Sequence, residues 1–141
     1  MMLLDTNVLV YARDKASPWN KWAEELIAEA TVEGGEGVCI NAVSLAELCA
    51  EEGVDENTVT QSVLALGVDV VGVPAIAGPF CGAAYRRYRQ KRKAESGKSS
   101  PRVPLPDFFI GAHAQVDTLT LATNDPDRFR TYFPLVKLVT P

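Results

Sequence analysis

The sequence predicts a three-layer α/β/α sandwich around a mostly parallel central sheet, and three observations lead there. Short runs of β-forming apolar residues recur at Met2–Leu4, Val38–Ile40, Val68–Val73, Leu119–Ala122 and Leu135–Val139. Stretches of helical periodicity or composition separate them, the alternation expected when strands are joined through helices. The length, 141 residues, is that of one domain with a real core, here taken as residues 1–141.

The first apolar run is too short for a helix and reads as a buried strand. Asp5 ends it, and Thr6 and Asn7 suit a helix start because their side-chain oxygens can accept from free backbone N–H groups. After the break at Ser17-Pro18, residues Trp19, Trp22, Ala23, Leu26, Ile27 and Ala30 recur at helical spacing, with Lys21, Glu24, Glu25 and Glu29 opposite. The two tryptophans read as core or subunit contact. Gly34-Gly35 closes that helix before the second strand.

Asn41 starts a third helix, predicted through Glu52, and Asp55 to Leu66 carries a fourth. Pro74 opens a long helical pattern, interrupted at Gly78-Pro79 and running to about Glu95. The segment Ser96 to Arg102 has loop composition. Pro106 suits the start of the mostly apolar helix from Asp107 to Ala114. A brief helix around Arg128 to Phe133 precedes the last strand.

Composition is ordinary for a soluble globular chain, with 47% hydrophobic and 23% charged residues. The N-terminus enters strand-like sequence with no basic leader, and no apolar run approaches a membrane span. Cys39, Cys49 and Cys81 are odd in number and lack CxxC spacing, which favours reduced thiols in a cytoplasmic core over a zinc or disulfide framework. The net charge of −4 hides a division: eight of the 14 Lys and Arg residues lie between Arg86 and Arg102. An acidic body with one basic segment is compatible with a polyanionic partner, because local charge governs phosphate contacts. Arg86, Arg87 and Arg89 are the candidate phosphate contacts.

Four acids stand at element boundaries rather than on polar faces. Asp5 and Asp125 directly follow predicted strands, Asp107 begins a buried-looking helix, and Glu47 lies early on another. Each also has a plain structural reading: helix cap for Asp5, solvated glutamate for Glu47, dipole partner for Asp107, turn former for Asp125. Carboxylates gathered at one sheet edge repel one another unless a cation joins them. Oxygen-only ligand sets suit Mg²⁺ or Mn²⁺, which activate water and offset charge in phosphodiester hydrolysis. The lone His113 argues against a two-histidine acid–base ribonuclease and reads as a structural helix residue. No GxxxxGK[ST] or GxGxxG fingerprint supports a nucleotide-binding enzyme.

The chain resembles a PIN domain, and more closely a VapC-type toxin ribonuclease of a toxin–antitoxin pair. Four segments carry the resemblance: Leu3 to Tyr11, Ser44-Leu45-Ala46-Glu47-Leu48, Pro106 to Ala114, and Leu121-Ala122-Thr123-Asn124-Asp125. The likeness covers nearly the whole chain. It implies that Asp5, Glu47, Asp107 and Asp125 form an acidic site for Mg²⁺ or Mn²⁺. Thr6 and Asn7 would support that site, Thr123 would orient the strand end beside Asp125, and Asp127 is a helix cap or an extra ligand. The resemblance further implies an RNA substrate, a cognate antitoxin, and a homodimer with Trp19, Trp22 and Leu26 as candidate contact residues. The basic stretch before Asp107 is longer and more positive than the family core, leaving it to guide RNA, contact the antitoxin or stay solvated.

The preferred reading is therefore a cytoplasmic metal-dependent endoribonuclease, silenced by its antitoxin. A non-cleaving PIN-fold RNA-binding or scaffold protein is the alternative from another class, and intact acids at all four positions argue against it. A structure-specific DNA nuclease is the third reading, since metal-assisted hydrolysis does not itself require a 2′-OH.

Overall fold

Five strands and seven helices alternate along the chain, and the computed structural model describes residues 1–141. The strands are β1 (Met2–Leu4), β2 (Val38–Asn41), β3 (Val68–Val71), β4 (Thr120–Ala122) and β5 (Leu138–Val139). The helices are α1 (Thr6–Arg13), α2 (Asn20–Thr31), α3 (Ala42–Cys49), α4 (Glu56–Ala65), α5 (Ala77–Ser96), α6 (Pro106–Val116) and α7 (Pro126–Tyr132). The sheet runs in the order β3-β2-β1-β4-β5, and every neighbouring pair is parallel.

The centre of the sheet explains the unbroken apolar run at the N-terminus. Strands covered by helices on both faces have no polar side to show. Side chains alternate between faces, so Leu3 enters one core while Met2 and Leu4 enter the other. Leu3 packs with Cys39, Leu121, Cys81 and Tyr85 of α5, Phe108 and Ile110 of α6, and Phe129 of α7. Met2 and Leu4 pack with Val38, Ile40, Val8 and Leu9 of α1, Ala23 and Ile27 of α2, Leu48 of α3, and Val59 and Val63 of α4. These two cores, one on each face, make the three layers. A Cβ at Gly111 would stand 2.3 Å from the Phe133 ring, so α6 reaches its place only because that position has no side chain.

Several element boundaries differ from the sequence expectation, three of them with a clear physical reason. The long helix is not interrupted at Gly78-Pro79: both residues fall in the first turn of α5, where a proline costs no intrahelical hydrogen bond. α3 stops at Cys49, leaving Glu51 and Glu52 beyond its end. The last strand shrinks to Leu138–Val139, because the Val136 N–H turns back to the Phe133 carbonyl and Leu135 projects outward at 85% exposure. Trp22 and Leu26 are partly buried against the core on their face, whereas Trp19 stands open just before α2. All three cysteines are free thiols, and no helix is long and apolar enough to cross a membrane.

From β1 the chain moves outward to β2 and β3, then crosses back to lay β4 against the other side of β1. That reversal opens a crevice at the carboxyl ends of β1 and β4, the usual position of a ligand site in an open parallel sheet.

Candidate functional site

Asp5 and Thr123 stand at this crevice. The Asp5 N–H donates to the Ala122 carbonyl at 2.9 Å, tying the two strand ends together. Thr123 Oγ1 donates to Asp5 Oδ2 at 2.8 Å, and the Asp125 N–H donates to Thr123 Oγ1 at 3.0 Å. Asp5 holds the N-cap position of α1, yet its side chain makes no capping hydrogen bond. The helix-cap reading of Asp5 fails, and its carboxylate, 4% exposed, is committed to the crevice instead.

Thr6 does not cap a helix either. As the first residue of α1 it lies 2.5 Å, oxygen to oxygen, from Glu47 Oε2 and 3.0 Å from Ser44 Oγ. A hydroxyl carries one proton; with the Thr6 O–H directed at the Glu47 carboxylate, Thr6 donates to Glu47 and Ser44 donates to Thr6. Ser44 and Glu47 share a face of α3 because they are three residues apart. Asn41 caps that helix, its Oδ1 accepting from the N–H groups of Val43 and Ser44, each at 3.1 Å. Its Nδ2 lies 3.3 Å from Nδ1 of His113 on α6. An amide NH₂ only donates, so Nδ1 accepts and Nε2 donates to Asp117 Oδ2 at 3.1 Å. His113, 2% exposed, is thus a structural residue that ties α3 to α6.

α6 carries Asp107 in its first turn, directly after Pro106. Asp107 Oδ2 accepts from Arg128 Nη1 at 2.6 Å, and this pair is about one-third exposed. Burial first, and then the charges of Asp107 and Glu47, raise the Asp5 carboxyl from 3.8 to about 6 against the hydrogen bonds from the Thr123 hydroxyl and the Thr6 backbone. The charges of Asp107 and Glu47 therefore both reach Asp5.

Asp125 is less involved. It is exposed, caps nothing with its side chain, and does not contribute to the Asp5 shift. It joins the crevice through its backbone and Thr123. Asn7 is exposed on α1, and Asp127 is 91% exposed with only a 3.7 Å pairing to Arg130. The basic segment also divides. Arg86 and Arg89 line a groove with Gln90, Lys93, Gly97, Ser99 and Ser100, whereas Arg87 Nη2 donates to the Tyr132 carbonyl at 3.2 Å.

No three His, Cys, Asp or Glu side chains are drawn into a ready-made metal cage. The residues nevertheless suit a hard divalent cation. Mg²⁺ takes one or two carboxylates and keeps several waters, so it needs no all-protein cage. A carboxylate raised by burial and, to a lesser degree, by two neighbouring acids is what such a cation would relieve.

Sequence reasoning named the acids and placed Asn41 at a helix start, but missed the roles of Ser44 and Arg128 and the Asn41 contact with His113. The (i, i+3) relation of Ser44 to Glu47 was a usable signal. Nothing local marks Arg128 as the partner of Asp107, 21 positions away.

Solved structures of similar fold extend over essentially the full chain. FitAcB from Neisseria gonorrhoeae is 23% identical, covering 100% of this chain and 98% of its own, with a TM-score of 0.67. VapBC2 from Rickettsia felis, bound to a DNA fragment from its promoter, is 22% identical, covering 99% and 97%, with a TM-score of 0.65. DNA-bound VapBC from Salmonella typhimurium is 20% identical, covering 99% and 98%, with a TM-score of 0.62. No curated protein is significantly similar in sequence. The PIN domain model matches residues 2–133, which takes in both cores, the sheet reversal and all four acids, and the chain belongs to the PIN domain family.

Proposed function

We propose that this chain is a metal-dependent endoribonuclease that hydrolyses RNA phosphodiester bonds, the toxin of a toxin–antitoxin pair. The observation that carries the reading is Asp5: a buried carboxylate at the sheet's reversal point, raised to about 6 with Asp107 and Glu47 contributing. Burial and the neighbouring acids disfavour its ionised form, and a bound cation would favour it.

Asp5, Glu47, Asp107 and Asp125 would hold Mg²⁺ or Mn²⁺. The bound ion would supply an activated water at neutral pH and offset charge on the phosphate oxygens. The protein's own contribution is orientation. Thr123 fixes Asp5, the Ser44–Thr6 hydroxyl pair fixes Glu47, and the Asn41–His113 contact holds the helices bearing Glu47 and Asp107 in register. Asn7, exposed in the first turn of α1, would be a supporting residue. Arg86 and Arg89, on their groove, would contact RNA phosphates, with Arg87 assisting by holding α5 against α7.

The likeness to VapBC and FitAcB supports a cognate antitoxin partner. A homodimer, with Trp19, Trp22 and Leu26 as candidate contacts, belongs to the same proposal. Free cysteines suit action in the cytoplasm. A small DNA-binding protein encoded immediately upstream would support the toxin assignment.

The test is cleavage by purified protein freed of antitoxin. RNA should be cut with Mg²⁺ or Mn²⁺, cleavage should stop on chelation, and DNA should survive. Equal cleavage in chelator, with contamination excluded, removes the metal mechanism; cleavage of both nucleic acids restores the DNA nuclease reading. Binding of RNA without cleavage in any divalent ion leaves the scaffold reading.

A further inference from the structure

A cation is already built into the acidic crevice. Among the lysines and arginines, Arg128 is the one that pairs with an acid of the Asp5, Glu47 and Asp107 group. Its position is fixed from two sides. The guanidinium carbon lies 5.6 Å from the Tyr88 ring centroid and 5.9 Å from that of Phe108, while Nη1 donates to Asp107 at 2.6 Å. The rings are themselves braced: Tyr88 and Phe108 are 5.2 Å apart, and Tyr132 packs edgewise or tilted on both.

This anchoring uses one N–H. A guanidinium presents a fork of several donors, and the remaining ones find no acceptor in the protein on a side chain that is 32% exposed. A cluster of acids repels the polyanion it is meant to cut, so the crevice needs a cation that faces the substrate. Arg128 has the charge, the planar fork suited to phosphate oxygens, and a position set before binding, which lowers the ordering cost.

We propose that Arg128 is the substrate-phosphate ligand of this site, held on the Tyr88–Phe108 bracket and directed by Asp107. The inference rests on the nuclease reading and names the group that admits RNA to the acids. It separates Arg128 from the Arg86 and Arg89 groove, which holds no acid.

The experiment measures binding of a fluorescently labelled single-stranded RNA to the full chain, freed of antitoxin, in EDTA at several salt concentrations. Arg128→Gln should lower affinity about tenfold and flatten the log–log salt slope by about 0.7, the share of one phosphate contact on a single strand. Arg128→Lys should keep the slope but recover only part of the affinity, because an ammonium lacks the planar fork. Unchanged affinity and slope in Arg128→Gln would overturn the proposal and leave Arg128 as the neutraliser of Asp107. So would equal slope losses in the Lys and Gln variants. Should Arg128→Gln fail to fold, Arg128→Lys decides alone, and binding as tight as the wild type overturns the proposal. Cleavage of the same RNA by wild type with Mn²⁺ is assayed in parallel. Loss of the nuclease reading there, with the Arg128-dependent slope retained, separates the two failures.

Discussion

The acidic crevice and the basic end of α5 handle charge in opposite ways. At the crevice, Asp5 is buried, raised to about 6, and held by Thr123; Glu47 is held by Thr6, and Asp107 by Arg128. Along α5 the cations from Arg86 to Lys93 form no ion pair, and most are exposed. Solvent screens the second region, so its charges sit together at little cost. In the first, Asp5 is shielded from water, so the charges of Asp107 and Glu47 reach it. One region holds charge at fixed positions; under the proposed function, the other would spread a field for a mobile polyanion.

The contrast predicts that single changes at the crevice outweigh multiple changes on α5. Asp5→Asn should reduce metal-dependent RNA cleavage by more than the about 10–100-fold typical of residues that only orient a metal's ligands. A variant within twofold of wild type would take Asp5 out of the chemistry. Thr6→Val, which removes the hydroxyl beneath Glu47 at nearly constant volume, should fall within that about 10–100-fold range. Its secondary structure, followed by circular dichroism, should be unchanged.

Stability should respond at the crevice in an unusual direction. Asp5 titrates near 3.8 when unfolded and about 6 when folded. The folded state therefore binds the proton more tightly, so this group's contribution is fully present below the unfolded value and disappears as pH rises through about 6. At neutral pH the ionised carboxylate costs on the order of 3 kcal/mol in metal-free protein. Asp5→Asn should remove that dependence and be more stable than wild type at pH 7 in chelator, as read by urea unfolding. Asp107→Asn should gain less, because it also deprives Arg128 of its partner. Mn²⁺ should stabilise wild type and have much less effect on Asp5→Asn. A wild type that loses stability on acidification from pH 7 to pH 5 would contradict the buried-carboxylate account.

On α5, replacing Arg86, Arg89 and Lys93 together with Gln should flatten the RNA salt slope by about 2, at about 0.7 per phosphate contact. Unfolding should be unaffected, because none of the three has a committed protein partner. Arg87→Ala is the control from the same helix: it loses the hydrogen bond to Tyr132 and should cost about 1 kcal/mol of stability with little change in slope. If the triple variant unfolds and Arg87→Ala does not, the division of this basic segment is wrong.

The sheet was legible because central strands buried on both faces cannot hide: β1, β2 and β4 are short apolar runs bounded by polar residues. Strand β5 and the end of α3 were overextended, since Leu135 and the Ala50-Glu51-Glu52 stretch have suitable composition but face solvent or a turn. Gly78-Pro79 was misread as a break because the rule against helical proline spares the first turn, and where that turn begins is not written locally.

For the site, the sequence by itself determined which residues carry charge and that four acids stand at element boundaries. It also determined the order of strands and helices, and with it the PIN resemblance. Only the tertiary structure decided which acids reach Asp5. Asp5 and Asp107 are separated by about a hundred residues of chain, and their coupling exists because β4 returns to the side of β1 and α6 packs beside it. The same reversal put Thr123 on Asp5, left Asp125 outside the group that shifts it, and brought Arg128 to Asp107. Electrostatic interaction falls with distance in space and with exposure to water, and the order of residues along a chain specifies neither until the chain has folded.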